Sequence, residues 1–479
     1  MPRILCALFA LGLFSCNGAL LIEDPPGAEV CDDLVDNDQD SAVDCQDDDC
    51  AQGCVEVCAD GLDNDQDGDL DCLDGDCAAS CAEVCDDTLD NDQDGDADCD
   101  DAECIQQPSC DTGKVLFDEA VLHTVELSVD AANLASLTPG NETRVSANLI
   151  FDGNPVDNVG IRIKGFIGSV QDINGKPGFS VKLNEFVPGQ DLFGVKKFTV
   201  DNSIQDPSFF SEHIGYELWR RAGIPAQRTA YARLTFNGTY YGVYVVNESV
   251  NANFLARNFD DGAGNLYEGV FGIDVLDVDT IDIDTNEALN DRSDLQALAD
   301  IVVNIPDDQF VAAVSEVLDL DAFLRYWAIE ALTYHWDGYA EFGTFGCCSP
   351  NNYYIYHEPT LDKILFLPHG IDQLFQDISV NVMNPPSPGA SLATRLFAIP
   401  EARVRYAAAI REVLATAWDA SALGARLEAA LALIQSSVLE GDHNPNFDSN
   451  NFLPSVQRVR DYLQQRPQIA EQQLIDAGF

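Results

Sequence analysis

The sequence predicts an α+β protein built in two lobes and preceded by a disulfide-rich stalk of Ca²⁺-binding repeats. Three observations carry this. From Lys114 to about Val250, apolar and polar residues alternate between turn signals, the period of half-buried strands. From Asp319 onward, apolar residues recur at helical spacing. Upstream of Lys114 the composition is of another kind: no Lys or Arg follows Arg3, and 12 of the 16 cysteines and 30 of the 82 acids fall between Glu29 and Cys110. Strands first and helices after, with polar residues gathered in the connecting loops, is an α+β layout.

The 479 residues have room for about two to four domains, and 46% hydrophobic residues suffice for a large core. The formal net charge of -57 argues against nucleic acid, whose binders need a basic face that releases counterions. Cationic partners are favoured.

Residues 1–16 have the outline of a secretory signal: Arg3, an apolar run from Ile4 to Phe14, then Ser15-Cys16. Leu13-Phe14-Ser15-Cys16 also resembles the lipobox of bacterial lipoproteins, so lipidation of Cys16 and simple cleavage both stand, with a lipid anchor as the expected membrane attachment. No later run reads as a membrane helix. After a linker at 17–28, the chain is expected outside the cytoplasm, at the outer membrane or cell surface, where disulfides persist.

Residues 29–110 are three repeats. Glu29-Val30-Cys31, Glu56-Val57-Cys58 and Glu83-Val84-Cys85 recur every 27 residues, each opening a set of four cysteines. Inside the second unit, Asp63, Asp65, Asp67, Asp71 and Asp74 occupy positions 1, 3, 5, 9 and 12, the offsets from which an EF-hand loop wraps oxygens around Ca²⁺. Asp90, Asp92, Asp94, Asp98 and Asp101 repeat the pattern in the third unit. Asp36, Asp38, Asp40, Asp44 and Asp47 repeat it in the first, with Ser41 in place of the turn glycine. The flanking helices of an EF-hand are missing, and the units resemble thrombospondin type 3 and other aspartate-rich Ca²⁺-binding repeats. Four cysteines per unit allow three disulfide pairings, and all remain open.

Residues 114–479 form the globular part, with 24 of the 25 Lys and Arg against 49 acids. Thr124 to Val129, Val159 to Lys164, Gly178 to Leu183, Tyr231 to Phe236 and Tyr241 to Val246 read as strands, the last two joined by Asn237-Gly238. Helices are expected over Pro207 to Arg221, Asp319 to Tyr334, Pro400 to Trp418, Ala420 to Leu439 and Pro454 to Ile475. Between them lie His335-Trp336-Asp337-Gly338, Asn351-Asn352 and His369-Gly370-Ile371-Asp372. Two carboxylates and an amide at the ends of two strand-like runs suit phosphoryl transfer, where one carboxylate orients a hydroxyl and the other groups hold Mg²⁺. Asp, Asn and Gly equally punctuate a plain hairpin.

The runs Lys176-Pro177-Gly178-Phe179-Ser180-Val181-Lys182, Leu192 to Phe198, Asp201-Asn202-Ser203, Phe209 to Glu212, Ala222 to Ala226 and Tyr240 to Tyr244, with the trio Asp337, Asn352 and Asp372, resemble the spore-coat protein H (CotH) family of atypical kinases. The resemblance implies a two-lobed kinase-like fold that binds ATP with Mg²⁺ or Mn²⁺. It assigns Lys182 to the phosphates, Glu212 to steadying that lysine, Glu248 to the adenine side, Asp337 to the base, and Asn352 and Asp372 to the metal. Gly370 departs from the family's Trp-Asp-x-Asp, and Cys347-Cys348 fall inside the site's own loop. The expected function is an exported, lipid-anchored kinase acting on Ser or Thr of a surface or secreted protein; the alternative is an inactive kinase-like adhesin.

Overall fold

The computed structural model describes residues 111–340 and 350–479, and upstream of them Cys77 alone, which is buried and disulfide-bonded. The leader, the linker, the fifteen repeat aspartates named above and Cys347-Cys348 lie outside the described residues. The chain divides into two compact units, Met1–Cys110 and Asp111–Phe479, and the second holds every element named below.

A short 3-10 turn leads into β1 (Leu122–Ser128), α1 (Ala131–Leu134), β2 (Val145–Phe151), β3 (Asn154–Lys164), β4 (Gly178–Lys182), β5 (Lys197–Asp201), α2 (Ser211–Arg221), β6 (Thr229–Phe236) and β7 (Thr239–Glu248). The strands close into a barrel ordered β1-β2-β3-β4-β5-β7-β6. Its interior is filled by one parity of each strand, for example Ile161 and Ile163, Phe179 and Val181, Phe198 and Val200. The other parity turns Arg162, Lys164, Ser180, Lys182, Lys197, Thr199 and Asp201 outward. Asn237 and Gly238 both take positive φ, 46° and 79°, so the β6–β7 hairpin closes as its Asn-Gly sequence predicts.

The second lobe carries α3 (Ala252–Asn258), β8 (Leu266–Gly269), β9 (Asp282–Ile283), α4 (Ser293–Asn304), α5 (Asp307–Val317), α6 (Leu320–Thr333), β10 (Tyr353–Glu358), β11 (Lys363–Pro368), α7 (Ser391–Ala398), α8 (Pro400–Thr416), α9 (Ala420–Glu440) and α10 (Ser449–Asp476). Its sheet runs β11-β10-β8-β9. The sequence pattern assigned nothing between Val246 and Asp319, where α3 to α5 and two short strands stand. The helix expected from Pro207 starts at Ser211, because Asp206 captures the N–H groups of Ser208 and Ser211 at 2.9 and 2.7 Å and Phe209 takes φ +67°. Contrary to expectation, α9 is long and apolar enough to cross a membrane. Leu423, Leu427, Ala430, Leu431, Ile434 and Val438 bury one stripe of it in the core of this lobe.

Two features of α10 hold it in place, and the second also fixes the position of α6, whose C-terminus feeds the candidate site. Pro467 lies inside α10 and cannot donate to the carbonyl of Leu463; the indole Nε1 of Trp418 donates to that carbonyl instead, at 2.9 Å. One residue earlier, the fully buried Arg466 spends its guanidinium on four main-chain oxygens: Ala331 (2.7 Å) and Leu332 (3.0 Å) at the end of α6, and Ile378 and Val380 (both 2.8 Å). The cation thus caps the negative end of α6 and ties it to the segment after the site. Replacing Arg466 by Leu removes four hydrogen bonds, leaving Leu332 O to the Tyr462 hydroxyl and Val380 O to the Gln473 amide while Ala331 O and Ile378 O lose their donor, and should lower stability by about 3 kcal/mol. Chemical denaturation checks this; a loss below about 1 kcal/mol would show that the cap is dispensable.

Candidate active site

α6 ends at Tyr334, which takes the left-handed conformation (φ +58°) and donates its N–H to Glu330. The chain then turns back over the Glu330 carboxylate. That group is wholly buried and accepts from the N–H of Tyr339 (2.8 Å), the N–H of Ala340 (3.1 Å) and the hydroxyl of Tyr326 (2.9 Å), with His335 Nδ1 3.5 Å away. A Cβ on Gly338 would lie 2.2 Å from Glu330 Oε1, so only glycine fits there. Glu330 was not singled out from sequence; a Glu inside an apolar helix is its one sequence signal.

This loop presents Asp337. The amides of Asn351 and Asn352 donate to its two carboxylate oxygens at 3.0 and 2.9 Å, and Asn352 also donates to its main-chain oxygen at 3.0 Å. Burial pushes the Asp337 carboxyl up, against the pull of Asn351, His335 and Asn352. Asn352 holds a left-handed conformation at φ +51°. With its nitrogen spent on Asp337, its Oδ1 faces Gly370: a Cβ there would stand 2.4 Å from that oxygen. Gly370, itself at φ +54°, is therefore the residue this arrangement requires.

Asp372 follows two residues later. Burial, then the negative charges of Asp201, Asp337 and Asp206, push its carboxyl up to about 8, with Lys164 opposing. Glu212, second residue of α2 and 4% exposed, is raised by burial and by Asp201 and Asp372; Lys164 and the Asn247 amide, which donates to Glu212 Oε1 at 2.6 Å, pull it down. The lysine of this cluster is thus Lys164. Burial works against its charge, but Asp201, Glu212, Asp372 and Glu268 leave it raised, and its Nζ stands 3.7 Å from Asp201 Oδ2. Gly178 pairs with Lys164 in the sheet and puts no side chain between it and Asp201.

Lys182, the lysine expected from sequence, is not brought to Glu212. It pairs with Gly160 and Lys197, four residues along β4 from Gly178, or about 13 Å. Its side chain is 42% exposed and bonds Glu185 at 3.0 Å. Glu248 is likewise committed elsewhere: it accepts from Arg228 at 2.7 and 3.1 Å and from Arg257 at 2.6 Å, and so ties the end of β7 to α3. Glu212, Asp337, Asn352 and Asp372 are brought together, joined by Lys164 and Asp201. Lys164 closes the alternating run Ile161-Arg162-Ile163-Lys164 before Gly165, and that position was its signal. Asp201 stood in a recognised run without a role.

The donor set suits a hard divalent cation, because carboxylates and an amide oxygen outnumber one ammonium. Among the described residues no three His, Cys, Asp or Glu side chains converge as a complete metal cage. Asp372 and Asn352 would therefore hold an ion jointly with phosphate oxygens, as Mg²⁺ sites commonly do.

The sequence model of the family described as CotH kinase protein matches residues 161–470. Among curated proteins, Invasin CotH7 of Rhizopus delemar is 24% identical over 249 residues, covering 48% of this chain and 41% of that protein. Invasin CotH3 of the same fungus is 22% identical over 311 residues, covering 60% and 48% respectively. The chain thus spans less than half the length of these relatives. Among solved structures, a Helicobacter pylori proinflammatory kinase, CtkA, is 12% identical with a TM-score of 0.29, covering 65% of this chain and 95% of that one. The family match takes in well over half of the residues and all six that meet at the cluster; the chain belongs to the CotH kinase family.

Proposed function

We propose that the chain is an exported, lipid-anchored kinase that transfers the γ-phosphoryl group of ATP to Ser or Thr of a surface or secreted protein. The observation that carries this is the gathering of Lys164, Glu212, Asp337, Asn352 and Asp372 from both lobes into one charged cluster. Lys164, 3.7 Å from Asp201 and under the influence of Glu212, would pair with nucleotide phosphates. Asp337, held by Asn351 and Asn352, is placed to orient an acceptor hydroxyl. Family membership implies a nucleoside triphosphate and a divalent metal in general terms, and Mg²⁺ or Mn²⁺ at Asp372 and Asn352 would neutralise the charge on the phosphates. Export, the lipid anchor at Cys16 and Ca²⁺ in the repeats rest on the sequence patterns alone. If those repeats hold Ca²⁺, adding it to the full chain should raise a melting transition that a chelator lowers again; no shift would remove the Ca²⁺ assignment.

A second reading is an inactive surface-binding module. It draws on Gly370, where the family has a carboxylate, and on relatives named invasins. Asp372→Ala separates the two: a Mg²⁺-dependent phosphoryl transfer that the variant loses supports the enzyme, whereas equal inertness supports the module.

The lysine assignment has its own test. Lys164→Ala should reduce transfer by about a hundredfold or more, while Lys182→Ala should cost less than about tenfold; the reverse ranking would restore Lys182. The buried carboxylates also set a pH dependence in metal-free protein. Asp372 is raised from its unfolded value near 4 to about 8, so between those limits the native state keeps a proton that the unfolded state has lost. Stability should accordingly fall as pH rises from about 4 to 8, by at most about 1.4 kcal/mol per unit. Denaturant midpoints in chelator should show the slope, and Asp372→Asn should flatten it.

A further inference from the structure

The outward face of β3, β4, β5 and β7 forms the roof of the cleft between the lobes. Lys164 and Lys197 both sense Glu268 on β8 of the other lobe, and Lys197 also senses Asp284, which fixes this face as the one turned toward that lobe. One roof row lies between Lys164 and the level of Glu248, and a second lies one residue past that level. The pairing of the strands puts Arg162, Ser180, Thr199 and Asn247 in the first, and Gly160, Lys182 and Lys197 in the second. Neither row contains an aliphatic side chain that could cover a purine. Arg144 lies over the same edge, its guanidinium donating to Ser180 O at 2.8 Å and Ser180 Oγ at 2.9 Å. The result is a basic roof on an acidic protein. Arg162 and Lys182 hold only rim partners, Glu142 (75% exposed) and Glu185, and such surface pairs exchange readily for phosphate.

The floor opposite is aromatic. Tyr354 and His369 stand 4.7 Å apart between ring centres, with His369 Nε2 3.4 Å from Glu268. The strand edge that would have to read a base is already occupied. At Asn247 and Glu248, β7 pairs with β5 on one side and meets β6 and Arg228 on the other; the Glu248 N–H donates to Arg228 O at 3.0 Å, and its carbonyl accepts from the Gln227 amide. The Asn247 amide is turned onto Glu212.

We propose that this cleft takes nucleoside triphosphates without selecting the base, gripping the polyphosphate along Lys164, Arg162 and Lys182 while the His369 ring, backed by the buried Tyr354, stacks beneath whichever base is present. Stacking tolerates any base because each has a π face, whereas strong discrimination needs committed hydrogen bonds to its edge. The inference rests on the nucleotide-binding reading above and specifies its ligand class.

The test is calorimetry on the full chain in Mg²⁺ with ATP, GTP, CTP, adenosine and inorganic triphosphate. The three nucleotides should bind within about fivefold of one another, inorganic triphosphate within about tenfold of ATP, and adenosine should not compete at millimolar concentration. Arg162→Ala with Lys182→Ala should weaken all three nucleotides by a similar factor, about tenfold, leaving their ratio unchanged. Ser249→Ala should leave the ratio unchanged too, although the buried Ser249 hydroxyl has no hydrogen-bond partner among the described residues and is the obvious candidate to read a base. A preference for ATP of about a hundredfold or more, or adenosine competing as well as triphosphate, overturns this proposal and leaves the kinase reading intact. If no nucleotide binds with Mg²⁺, both fall.

Discussion

One ammonium group faces more carboxylates than it can neutralise, and the organisation of the cleft follows from that imbalance. Lys164 on the barrel meets Asp201, Glu212, Asp372 and Glu268. Leaving several carboxylates ionised beside a single cation in a buried site would cost several kcal/mol per uncompensated charge. Burial, and then the neighbouring carboxylates, accordingly raise both Glu212 and Asp372. A divalent cation at this cluster would offset part of the negative charge that Lys164 alone cannot. Electrostatically, the cluster is prepared for a ligand and strained without one.

Such a cluster functions only if the loop carrying Asp337 stays in place, and that is where buried polar residues of the second lobe are spent. Glu330 gathers the loop's N–H groups from below, and Arg466 gathers the carbonyls that end α6. Neither reaches the cleft, and main-chain groups make most of the hydrogen bonds of each. A buried charge so used fixes geometry more than it adds stability, because its desolvation consumes much of the gain from its hydrogen bonds. The main chain at Tyr334, Asn352 and Gly370 carries the matching positive-φ conformations.

How much of this could be read beforehand depended on whether the relevant pattern was local. Strand alternation along β3 and β4, the Asn237-Gly238 turn and the long helices are properties of short windows, and the sequence showed them. The trio at 337, 352 and 372 was visible because each residue ends an element. Lys182 lies away from Glu212 for a specific reason. Parity shows which face of β4 a residue occupies, and on that count Lys182 and Lys164 are equivalent; the row it occupies depends on register with neighbouring strands, a non-local quantity. Register puts Lys182 opposite Gly160 and leaves Lys164 beside the carboxylates. Glu248 is committed elsewhere for a similar reason, because the arginines that claim it come from positions 228 and 257.

Gly370 is the residue on which sequence and structure give most different emphasis. In sequence it is a missing carboxylate and counts against activity. In the structure it is a left-handed residue against which Asn352 Oδ1 packs, while the Asn352 nitrogen is bound to Asp337. A side chain at 370 would displace Asn352 and with it one of the two amides that hold Asp337, so restoring the family's carboxylate at this single position would disturb Asp337 and Asn352 together. The departure is therefore coupled to the orientation of Asn352, and Asp201 and Glu212 already bring carboxyl groups from the other lobe. Whether Gly370 weakens the site is decided by the set of residues around it, not by the absent carboxylate alone.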